Sequence, residues 1–109
     1  MKIKEALTET GMMIPDHNIC EELLYIWLSR VEGLVITRIM GGDGADIKYT
    51  PEENEGVLRV PDPYSAIYPL YLQTMIYLYL GEYDRYNHLN QAFSSAWGDF
   101  AKHYIRTKG

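Results

Sequence analysis

The sequence predicts an all-α fold: a bundle of three to four helices, with a long loop between the second helix and a C-terminal helical hairpin or kinked long helix. Three observations predict it. Two long segments carry apolar residues at helical period. No alternating strand pattern competes with them. Ten tyrosines occur in 109 residues, and seven fall between Tyr64 and Tyr86. There Tyr64, Tyr68, Tyr71, Met75, Tyr79, Tyr86, Leu89, Phe93, Trp97, Phe100 and Tyr104 recur at three, four or seven residues, which places them on one side of a helix. Asp84, Gln91, Ser95 and Lys102 fall on the other side.

The first helix is expected over Ile3–Thr8, with Ile3, Ala6 and Leu7 as its apolar side. Gly11 ends it and Pro15 stiffens the turn. The second starts at Asn18 as cap, with Glu21 in the capping-box position. Its stripe is Leu24, Trp27, Leu28, Val31, Val35 and Ile39, widened by Leu23, Ile26, Leu34 and Ile36. A helix so broadly apolar needs cover on two sides. Gly41–Gly42–Asp43–Gly44 breaks it.

Gly41–Pro61, with its acidic PEENEG run, reads as a long exposed loop. Val57–Val60 is a short strand or an extended tether. A loop of this length is either a mobile solvated segment or one that inserts into a neighbour. Asp62 is positioned to cap the next helix, with Pro63 at its first position. Pro69 kinks its first turns or marks where the regular helix begins. Gly81 permits two continuations, a hairpin of Tyr64–Leu80 against Tyr83–Ile105 or one kinked helix, since a single glycine costs only about 1 kcal/mol. Trp27, Val31, Val35, Phe93, Trp97 and Phe100 are the expected core.

A single domain, 1–109, is expected at this length. The net charge of −5 and the scattered lysines and arginines argue against a nucleic-acid binder. The lone Cys20 excludes an internal disulfide framework and reads as a partly buried small hydrophobe. MKIKEALTETG lacks the apolar centre of a signal peptide. Ile67–Leu80 falls short of the roughly 20 apolar residues of a membrane span.

Chemistry-bearing patterns are absent from the sequence. GGDGAD at 41–46 has no following Lys-Ser or Lys-Thr and is no phosphate-binding loop. Asp43, Asp46, Glu52, Glu53 and Glu55 do not have calcium-loop spacing, so they read as turn and surface charge. His17, His88 and His103 form no zinc motif. Asp84 and His88, four residues apart, read as a surface pair. No catalytic residue, cofactor, metal or small-molecule substrate is therefore expected.

The words PYSAIYPLYL, GEYDRYN and the aromatic run ending in IRT resemble a family of small tailed-phage and prophage proteins of the head-tail connector (head completion) region. IKEAL and YIWLSRVEG match it more loosely, and MIYLYLG is more apolar than the family pattern. The resemblance implies a structural subunit that forms a ring and docks on the portal protein or on adjacent connector or tail proteins. It implies a place at the virion head-tail junction, or in the bacterial cytoplasm where no particles form. The alternative is a non-catalytic protein-binding adaptor or regulatory module of phage origin. A ring subunit needs two different patches, and the tyrosine face and the Gly41–Pro61 loop are the two expected here. Tyr68, Tyr71, Tyr79 and Tyr83 are the candidate protein-interface residues, because so many aromatics exceed what one small core encloses. The competing reading has them finish the monomer core with hydroxyls at the surface.

Overall fold

A computed structural model describes residues 1–108 and is all-α. Four α-helices run in the order α1 (Ile3–Met13), α2 (Glu21–Leu34), α3 (Ile67–Leu80) and α4 (Tyr83–Lys108). A π-helical turn, Val35–Ile39, extends α2, and 3₁₀ turns form at Pro51–Glu53 and Tyr64–Ala66. Among the described residues the only β pairing is a single antiparallel bridge between Lys2 and Val57, so Val57–Val60 is a tether.

α3 is the central helix. It packs against α1, α2 and α4. Its apolar residues therefore surround it, and Ile67, Tyr68, Leu72 and Ile76 are completely buried. α2 turns Leu24, Leu28, Val31 and Val35 inward, and α1 contributes Ile3 and Ala6. α4 lies outermost and buries only Phe100 fully. At 26 residues it is about 39 Å long, close to the 42 Å longest dimension of the molecule.

Gly81 resolves the two continuations in favour of the hairpin. Its φ of 75° places it in the left-handed region, and its N–H bonds the Leu78 carbonyl. Glycine adopts that conformation without a Cβ clash and so ends α3. The single aromatic stripe folds back on itself as a result. Tyr71 meets Phe93 with ring centroids 5.3 Å apart, and Tyr64 meets Phe100 at 5.8 Å and His103 at 4.6 Å.

Several boundaries differ from expectation. α1 runs through Gly11 to Met13, because Thr10 faces the core and bonds the Ala6 carbonyl. Asn18 does not cap α2. It sits at φ 53° in the connecting turn, and exposed Cys20 holds the cap position. Asp62 accepts the Ser65 hydroxyl, and the regular helix begins at Ile67 after the 3₁₀ turn. Pro69 is then the third residue of α3, where its missing N–H has no intrahelical partner to lose. Of the expected core, Trp27, Val31, Val35 and Phe100 are buried, whereas Phe93 and Trp97 are half-buried because α4 is covered from one side.

The connection from Gly41 to Pro61 is not the uniformly exposed loop expected. Leu58 and Val60 are buried. The Glu32 carboxylate, fully buried on α2, accepts the Arg59 N–H at 2.9 Å, the Tyr49 hydroxyl at 2.9 Å and the Tyr68 hydroxyl at 2.5 Å. Ser29 Oγ accepts the Tyr49 N–H, and the Tyr25 hydroxyl bonds Asn54. The chain also crosses α2 where two glycines meet. A Cβ on Gly33 would lie 2.7 Å from the Gly44 carbonyl oxygen. The PEENEG run braces the start of α1: Asn54 and Gly56 carbonyls accept the Lys4 and Ile3 N–H groups, and Glu55 pairs with Lys2 and Lys4. Those orphan helix N–H groups thus gain partners.

Candidate protein interface

The last turn of α3 protrudes past the helices that cover the rest of it. Leu78, Tyr79 and Leu80 are 39%, 65% and 44% exposed, and Tyr83 at the start of α4 is 64% exposed. Four large apolar side chains therefore stand around one left-handed glycine. The turn is well determined. The Glu82 N–H bonds the Tyr77 carbonyl, and Arg85 lies 5.5 Å over the Tyr77 ring and 3.7 Å from the Glu82 carboxylate. Tyr79 sets its ring against Trp27 in an edge-to-face arrangement, centroids 6.2 Å apart. This contact holds the ring in place while most of its surface stays open.

The four tyrosines picked from the sequence separate into three environments. Tyr68 is completely buried and hydrogen-bonded to Glu32 and Val60, so it is a core residue and not an interface one. Burial and the Glu32 charge push its hydroxyl far above the ordinary tyrosine range. Tyr71 is half-buried on Phe93. Burial raises its hydroxyl too, opposed by the nearby Arg30 guanidinium. Only Tyr79 and Tyr83 are mostly exposed, and they lie four residues apart on either side of Gly81. Leu78 and Leu80 join them and were not singled out by periodicity. The available signal was MIYLYLG itself, apolar on every side of a helix whose last turn has nothing left to cover it.

A second surface lies on α2. Its outer side and the segment 45–51 form the walls of an open groove of about 910 Å³. Ile26, 49% exposed, lies in it between Glu22 and Arg30. This is the part of the long loop that shapes a free surface.

Chemical groups are dispersed. Among the described residues no group of three or more His, Cys, Asp or Glu is placed to hold a metal. Asp43 accepts the Ala45 N–H and so forms a turn, as expected. Asp84 and His88 are both exposed, but no ion pair joins them among the described residues; Arg85 takes Glu82 instead. No helix among the described residues is long and apolar enough to cross a membrane. Compared with family models, curated proteins and solved structures, the chain matches none.

Proposed function

We propose that this chain is a structural phage or prophage protein of the head-tail junction, a ring-forming connector subunit that docks on the portal. The single observation that carries the reading is the apolar hairpin tip of Leu78, Tyr79, Leu80 and Tyr83. A small protein that leaves such a cluster in water loses the stabilisation of burying it, and clustered exposed aromatics mark protein contacts. The GEYDRYN words that resemble the family supply Gly81 and Tyr83 of this tip, whereas Leu78, Tyr79 and Leu80 come from MIYLYLG, which is more apolar than the family pattern. Tyrosine is suited to the task, since its ring is rigid and its hydroxyl tolerates water before assembly.

The test mixes the purified protein with its cognate portal and images the product by electron microscopy. A ring of this chain stacked on the portal supports the reading. Absence of a complex, together with filled heads that still join tails when the gene is deleted, sinks it and leaves the adaptor role.

A further inference from the structure

α4 packs chiefly against α3 and the Tyr64–Ala66 turn that precedes it, and only Gly81 and Glu82 connect the two helices. The ring pairs that hold α4 in place are centred on Glu82. Tyr71 lies eleven residues before it and its partner Phe93 eleven after, while Tyr64 and its partner Phe100 lie eighteen before and after. The inward seam also keeps a helical step through the turn. Met75, Leu78, Glu82, Tyr86, Leu89 and Phe93 follow one another at three or four residues. In the hairpin this seam ends in water, with Leu78 39% and Tyr79 65% exposed. One backbone angle makes the turn. A Cβ at Gly81 would meet nothing within 4 Å, so the φ of 75° alone opposes a side chain there.

We propose that α4 is an exchangeable arm: the hairpin opens at Gly81 into one continuous helix, and α4 of each copy packs on α3 of a second copy. The interface that the hairpin already contains fixes this occupant, because a second copy's α4 brings the same Tyr71–Phe93 and Tyr64–Phe100 contacts. A connection this short favours exchange. Pairs centred on one residue put the twofold axis at Glu82, so the two Glu82 carboxylates face one another where the helices cross. Leu78 and Tyr79 of both copies lie beside that axis, and the crossing covers part of what the hairpin leaves exposed. Two features hold the unaltered chain in the hairpin. One is the left-handed cap at Gly81, which an unbroken helix gives up; the other is the like charge of the two Glu82. The exchanged pair has no hairpin tip, so it is a form distinct from the portal-docking one, and its test needs no portal.

Gly81→Ala and the unaltered chain are refolded at high concentration and sized by light scattering. Alanine suits a helix and not the left-handed turn, so the dimer dissociation constant should fall at least about tenfold. Glu82→Leu keeps the glycine, makes the axis apolar and should strengthen the dimer in the same direction. Register is read by refolding Gly81→Ala together with Gly81→Ala/Glu82→Lys. Opposite charges then meet at the axis, and the mixed dimer should exceed its statistical share about threefold. Exchange is read from Tyr71→Cys mixed with Phe93→Cys, each carrying Cys20→Ser and Gly81→Ala. These positions meet across chains only where α4 is exchanged, so the mixed 71–93 disulfide should form about tenfold faster than either symmetric one. If Gly81→Ala and Glu82→Leu both stay monomeric, the proposal is overturned. A dimer with a statistical charge mixture also overturns it, as does one without the 71–93 preference when circular dichroism shows both cysteine variants folded. If either cysteine variant loses its fold, the charge mixture decides alone.

Discussion

Tyr68 on α3 donates its hydroxyl proton to Glu32 on α2 across 2.5 Å, and the same oxygen accepts the Val60 N–H at 2.9 Å. One buried pair thus ties two helices and the long connection together. Every group that reaches the Glu32 carboxylate is a donor: two tyrosine hydroxyls and the Arg59 N–H. A carboxylate with only donors around it is satisfied as an acceptor without a cation.

Removing this pair should therefore loosen the connection as well as the core. Tyr68→Phe leaves the Val60 N–H without its acceptor and should cost about 1–3 kcal/mol. Glu32→Ala leaves three donors unpartnered and should cost more, about 3 kcal/mol or above. Urea unfolding measures both. A loss under about 1 kcal/mol for Glu32→Ala would show that the network does not hold the fold.

Alkaline pH should act through the same groups. Burial and the neighbouring Glu32 charge raise the Tyr49 and Tyr68 hydroxyls above the ordinary value of about 10. A folded value above the unfolded one gives stability that is complete below about pH 10 and is lost as pH rises further. Phenolate absorbance followed beside circular dichroism should show Tyr49 and Tyr68 ionising only as the protein unfolds. Ten tyrosines titrating together in the folded state would contradict the buried network.

The crossing of the connection over α2 depends on Gly33 and Gly44. A Cβ on Gly44 would collide with the Gly33 backbone, which cannot move aside without bending α2. Gly44→Ala should cost about 1–3 kcal/mol, whereas Gly98→Ala, with open space at its Cβ, should be neutral or slightly stabilising. Thermal unfolding distinguishes them, and equal effects would argue against the close approach.

Helical period made much of the fold legible. The inward faces of α1 and α2 and the role of Phe100 follow from spacing alone. Spacing did not resolve Gly81, because α3 and α4 keep the same aromatic phase on both sides of it. Only the left-handed backbone there shows a turn. The connection was read as exposed because its glycines and acidic residues resemble solvated sequence. Its anchors are single side chains on distant helices, Ser29, Glu32 and Tyr68, and no local pattern announces such pairings. The candidate interface residues were half legible. Tyr79 shares the tyrosine-rich period with Tyr68, and burial rather than spacing separates the two.

Limited proteolysis should reflect this division. Cleavage is expected first around Ala45–Lys48, which is largely exposed between the Gly44 crossing and the Tyr49 anchor, and later at Gly56–Val60, which is pinned to α1 and Glu32. First cleavage within Gly56–Val60 would contradict the anchoring.

The central claim is that the α3–α4 tip is the docking surface, and portal affinity of the Tyr79→Ala/Tyr83→Ala double variant tests it most directly. Both rings are mostly exposed, so the monomer should keep its fold by circular dichroism. Truncation of an aromatic at a hot spot costs about 2 kcal/mol or more, so affinity for the cognate portal should fall at least about 30-fold. Binding within about twofold of the unaltered chain would contradict the claim.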